Sequence, residues 1–145
     1  MKTLVAVALS LTFLSALSCK KVESAINDTA TRGNLTATID GTSYTAPTVN
    51  GSVSGTTFFL KGNRFGNDEE ISFDVSNYST SQTHYDIDIP YVNGRYVTPG
   101  GDIRTATSGE INIESTGAKS AKGTFSFQTE NGTEVTNGKF DVSWD

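Results

Sequence analysis

The chain has one histidine, His84 in "TSQTHYD", and one cysteine, Cys19 in "LSALSCKK". Nucleophilic catalysis needs a base held beside a nucleophile. Cys19 stands in an apolar leader, so His84 would have to serve alone, and it reads as an exposed histidine on a strand edge. Zinc sites built from several Cys and His are excluded by number. Carboxylates are plentiful, with 16 Asp and Glu. Asp86 and Asp88 share one strand face, two residues apart, where they could flank a calcium ion if a loop supplied further oxygens. Ile87, Ile89 and Pro90 depart from the Asp-x-Asp-x-Asp-Gly loop of an EF-hand. Asn67-Asp68-Glu69-Glu70, the other acidic cluster, reads as a solvated turn leading into Ile71. Glycoside hydrolysis needs two carboxyls across a cleft at a set separation, and in a chain this acidic the presence of some pair is uninformative.

Binding of a sugar or peptide is the more specific option. In "PYVNGRYVTPGG" a two-residue turn at Asn93-Gly94 would set Tyr91 directly opposite Tyr96, with Arg95 beside the tip. Two phenol rings and a guanidinium could stack a sugar. The same pair could equally serve only to stabilise its hairpin. Phe58 and Phe59 are adjacent, so in a strand they point to opposite faces, which either leaves one of them open to exposure or marks a strand buried on both sides.

The elements carrying these residues follow a period of two. Leu35, Ala37 and Ile39 alternate with polar residues, as do Ile71, Phe73 and Val75, then Tyr85, Ile87 and Ile89. Ile111 and Ile113, Phe125 and Phe127, and finally Phe140, Val142 and Trp144 continue the pattern. Short half-apolar runs between turn residues are strands with one face on a core. About eight or nine such strands predict a single all-β antiparallel domain, either a β-sandwich or a flattened barrel. Asp40-Gly41, Asn50-Gly51, Asn93-Gly94, Asn131-Gly132 and Asn137-Gly138 supply positive φ for tight turns and bulges. A three-residue loop over Glu130 to Gly132 pairs Phe127 with Val135 and keeps the apolar faces together. The phase then slips between Val135 and Phe140, which makes Asn137-Gly138 a β-bulge. The last strand, Lys139 to Trp144, is expected to pair with the strand from Lys122 to Thr129.

Met1-Lys2 followed by the apolar run Thr3 to Leu17 has the layout of a secretory signal and is too short for a good membrane span. The expected organisation is a signal over 1–18, a polar tether over 19–33 and a β-domain over 34–145. The net charge of −5 becomes one unit more negative once Lys2 is removed, a sign that opposes nucleic-acid binding. The lone cysteine allows no internal disulfide, so the core and the strand ladders must hold the fold.

Ala16-Leu17-Ser18-Cys19 resembles the lipobox of bacterial lipoproteins. That resemblance implies cleavage before Cys19, a diacylglycerol on its thiol and an outer-membrane anchor, since Lys20 replaces the aspartate that retains such proteins at the inner membrane. "CKK" before a polar stretch resembles Bacteroidetes lipoproteins, which leaves the periplasmic face and the cell surface both open. Asp28-Thr29-Ala30 resembles the O-glycosylation acceptor of that group, with Thr29 as the acceptor. "TATIDGTSYTA", "GTFSF" and "TNGKFDVSW" together resemble a family of small Bacteroidetes lipoproteins of unknown function, whose motifs are turn and core residues. The expectation is a noncatalytic, lipid-anchored accessory or interaction protein of the envelope, with no cofactor, meeting the membrane through Cys19 and an envelope protein or glycan through its domain. A surface glycan-binding lipoprotein is the alternative, and a small calcium-dependent or hydrolytic protein the third.

Overall fold

The computed structural model describes residues 33–145. Cys19 and Thr29, and with them the signal and most of the tether, lie outside the described residues.

The domain is all-β, as the alternation predicts. Its strands are β1 (Gly33–Ile39), β2 (Thr42–Ala46), β3 (Thr48–Ser54), β4 (Thr57–Asn63), β5 (Glu70–Val75), β6 (His84–Asp86), β7 (Val92–Val97), β8 (Ile103–Gly117), β9 (Ser120–Thr129) and β10 (Glu134–Ser143). Nine of them follow the order β2-β1-β10-β9-β8-β7-β5-β4-β3, and the short β6 pairs with β8 alongside this path. Every pairing is antiparallel. The sheet curls into a nearly closed barrel, the second of the two expected architectures.

Closure brings the inward rows together. Phe58, Phe73, Phe125 and Phe140 form an aromatic cluster with neighbouring ring centroids 5.4 to 6.5 Å apart. Trp144 and Tyr78 pack on the same Phe58 ring. These offset and tilted contacts suit the quadrupoles of the rings. Leu35, Leu60, Ile71, Ile111 and Val135 complete an interior from which water is excluded.

Local turn chemistry sets the register. Asp40 and Gly41 both have positive φ, 46° and 81°, as a tight two-residue hairpin between β1 and β2 requires. At the other hairpin Phe127 does pair with Val135, and Gly132 takes the left-handed position at φ 81°. Asn137, at φ 52°, lies in the register shift between Val135 and Gly138, so the expected bulge is present. β10 also runs beside β9, with Lys139 opposite Thr124.

Two Asn-Gly pairs are not turns. Asn50-Gly51 lies inside β3 and Asn93-Gly94 inside β7. Each glycine is there for a close approach: a Cβ on Gly51 would stand 2.7 Å from a Val142 methyl, and one on Gly94 3.0 Å from Ala106. The dipeptide that supplies positive φ in a hairpin here supplies the missing side chain that lets the barrel wall fold inward. The alternation at Tyr85, Ile87 and Ile89 also ends early, because β6 stops at Asp86 and Ile89 is exposed.

Candidate functional site

The outer face of β3, β4, β5 and β7 is a grid fixed by register. Outward residues recur every second position along a strand, and cross-strand partners share a row. One row runs Ser52, Phe59, Asp74, Asn93; the next runs Asn50, Lys61, Ser72, Arg95 and on to Thr105 of β8. These two rows line a groove of about 570 Å³, within the range of small-molecule sites. Phe58 is fully buried, whereas its neighbour Phe59 is 44 % exposed and forms the apolar part of the groove.

Glu70 organises the polar wall. It opens β5 next to the inward Ile71 and is itself buried. Its Oε2 meets Lys61 Nζ at 2.5 Å and accepts from Asn63 Nδ2 at 3.3 Å; its Oε1 accepts from Arg95 at 2.9 Å and from Ser72 Oγ at 3.0 Å. Burial pushes the Glu70 carboxyl up, but the hydrogen bonds from Lys61, Arg95 and Ser72 outweigh it, so the group titrates below its ordinary range. In the other row Asn93 Nδ2 donates to Asp74 Oδ2 at 2.9 Å. The groove therefore offers an open ring, two cations held by one carboxylate, and a carboxylate–amide pair.

A second acidic cluster closes one end of the barrel. Glu69 is buried, accepting from Tyr96 Oη at 2.9 Å and from Arg64 at 2.8 Å. The Arg64 guanidinium also sits 4.9 Å from the centroid of the Tyr44 ring, whose hydroxyl donates to the Gly62 carbonyl at 2.8 Å. Burial, the hydrogen bond to Glu69 and the charge of Glu69 push the Tyr96 phenol up to about 12. Both Glu69 carboxylate oxygens are engaged, one by Tyr96 and one by Arg64, and the arrangement ties together strands that are not neighbours in sequence.

The sequence-predicted residues divide accordingly. Arg95 lies in the groove, but Tyr91 and Tyr96 do not face each other, because β7 passes straight through Asn93-Gly94. Tyr96 points inward to Glu69; Tyr91 precedes β7, is 53 % exposed, and is not among the groove residues. The acidic run reads differently too: Glu69 and Glu70 are both buried, not solvated, because each is matched by basic and hydroxyl donors. Asp86 accepts from His84 Nε2 at 3.0 Å, while His84 Nδ1 faces Asn112 Oδ1 at 2.7 Å. The hydrogen bonds to Asn112 and Asp86 raise the His84 pKa. Asp88 falls in the turn after β6, beyond the strand face that was to pair it with Asp86. Among the described residues no group of three His, Cys, Asp or Glu gathers as a metal site. The alternation of apolar residues carries no signal for the groove beyond the adjacent pair Phe58-Phe59.

The class defined by this fold is a small antiparallel, nearly closed barrel with a groove on the outer face of β3, β4, β5 and β7. Comparison with protein-family models, with curated proteins and with solved structures finds no match to the chain.

Proposed function

We propose that the chain is a noncatalytic binding module of the bacterial envelope, carried on a lipid at Cys19, whose recognition face is the groove over β3, β4, β5 and β7. The observation that carries this reading is the half-exposed Phe59 in a groove whose polar walls are already paired. A half-exposed ring beside side chains held in one geometry suits recognition, because little further ordering is needed when a ligand arrives. The partners of His84 support the noncatalytic reading: they are an amide and a carboxylate, with no hydroxyl nucleophile on the ring.

The test is class-neutral. Amide and methyl NMR shifts of the soluble domain are followed against a library of small polar and aromatic solutes. Shifts concentrated at Phe59, Lys61, Asp74 and Arg95 are expected. Shifts scattered over the surface, or gathered at the Glu69 end, would remove the groove from the function. Mass spectrometry of the purified full chain checks the anchor, which requires a diacylglyceryl adduct on Cys19 and loss of residues 1–18.

A further inference from the structure

From the chemistry of the same groove we infer its ligand class: a short neutral oligosaccharide, bound with one sugar ring on Phe59. The inference rests on the groove being the recognition face and adds what it recognises.

The charge balance points to a neutral ligand. Lys61 and Arg95 are the two cations of the groove, and both are bound by the single carboxylate of Glu70. Asp74 stands directly opposite Phe59 in the β4–β5 ladder, so any anion stacked on the ring meets a carboxylate at its edge. The Lys61 and Arg95 charges are matched by those of Glu70 and Asp74, which leaves no surplus of either sign.

The donor and acceptor pattern points to hydroxyls. In the row of Phe59 lie a hydroxyl on Ser52, a carboxylate acceptor on Asp74 and, beyond it, the amide of Asn93, whose Nδ2 donates to Asp74; Ser72 Oγ is engaged with Glu70 and Arg95. A pyranose is two-sided in the matching way. Its C–H face carries slight positive charge and settles on the negative face of an aromatic ring, while its rim of hydroxyls both donates and accepts. A carboxylate accepts from hydroxyls through charge-assisted bonds, which are stronger than neutral ones. A peptide adding as a strand to this face could pair only with β3, which ends the strand order, and not across Phe59, since β4, β5 and β7 each have a hydrogen-bonded neighbour on both sides. The rows from Phe59 to Asn93 and from Lys61 to Thr105 cross two and three strand spacings, roughly 10 and 15 Å, which is room for more than one sugar ring.

The experiment is a calorimetric and NMR titration of the domain with neutral gluco-, manno- and xylo-oligosaccharides of two to six units. Oligogalacturonates and a hydrophobic peptide set are titrated in parallel. Binding of at least one neutral series, with shifts at Phe59 and Asp74, is expected. Phe59→Ala should weaken it at least tenfold and Asp74→Ala at least fivefold, while Phe65→Ala, on the exposed β4–β5 loop outside the groove, leaves it unchanged. Thermal melting of each variant separates lost binding from lost fold, and Phe59→Trp, which keeps a stacking surface, should retain affinity. Preference for the acidic oligomers or for peptides, or unchanged sugar binding in a folded Phe59→Ala variant, overturns the assignment. Should small solutes map to the groove while every neutral sugar fails, the ligand class is wrong and the recognition face stands.

Discussion

Replacing Glu70 with Gln tests whether the groove is held from the adjoining row of the same face. The change keeps the size of the side chain and removes the charge that holds Lys61 and Arg95. A buried ion pair that loses one member can cost about 3–5 kcal/mol when a charge is stranded away from water. Here the cations are not stranded, since their side chains are 47 % and 46 % exposed and can turn to solvent. Exposed pairs contribute about 0.2–1 kcal/mol each. The hydrogen bonds from Ser72 and Asn63 add roughly 0.5–1.5 kcal/mol each, part of which the amide retains. The expected loss is therefore about 1–3 kcal/mol at pH 7. The pH dependence has a definite sign. A carboxylate whose pKa is lowered on folding contributes stability above its unfolded pKa and loses that contribution as pH falls through the lower folded value. The gap between wild type and Glu70→Gln should be full at pH 7 and narrow as the medium is acidified through the carboxylate range. Urea unfolding at several pH values reads it directly. A variant as stable as wild type at pH 7, or a gap that stays constant into acid, would refute the clamp.

Three further outcomes are expected. Tyr96→Phe should cost about 1–2 kcal/mol in urea unfolding by leaving a buried Glu69 oxygen short of its donor, while Tyr91→Ala stays within about 0.5 kcal/mol; equal effects would contradict their opposite facing. Gly123→Ala should cost about 3 kcal/mol or more or prevent folding, because its Cβ would overlap the Asn112 carbonyl oxygen of the neighbouring strand, and a native-like melting temperature would mean the β8–β9 register is wrong. The His84 ring should titrate by NMR above an unperturbed histidine, and Asp86→Asn should bring it down. Since the raised pKa favours the protonated ring, its contribution to stability is present below the unfolded pKa and lost as pH rises through the folded one. An unshifted titration would break the contact with Asn112 and Asp86.

The inside of this barrel was legible in the sequence because burial leaves a period-two trace. Leu35-Ala37-Ile39 and Ile71-Phe73-Val75 report their facing without any knowledge of their neighbours. The slip from Val135 to Phe140 was legible for the same reason, since a phase change in alternation has no other economical cause than an inserted residue. Asn-Gly was the ambiguous sign. At Asn137-Gly138 it marks an irregularity, but at Asn50-Gly51 and Asn93-Gly94 the glycine is needed for lack of a side chain, a demand made by Val142 from the distant β10 and by Ala106 from the following strand β8.

The groove stayed hidden because its content is a relation between strands. Alternation says that Phe59, Lys61, Asp74 and Arg95 leave the core, yet it is silent on which of them share a row. That depends on β5 passing over β6 to pair with β7, a connection skipping the 84–86 segment that the sequence presents as an equal strand. The same skip explains the error at Tyr91 and Tyr96. A hairpin at Asn93-Gly94 would have satisfied local turn preference and aromatic pairing together, but it would have split β7 and left the side of β5 away from β4 without a partner at Phe73 and Val75. The straight β7 instead pairs Gly94 with Phe73 and Val92 with Val75, and sends Tyr96 inward to Glu69. Completing the ladder between two buried strands outweighed the few tenths to 1 kcal/mol that a cross-strand tyrosine pair contributes. Arg95 is consequently turned to the outer face, where Glu70 holds it beside the ring-bearing row.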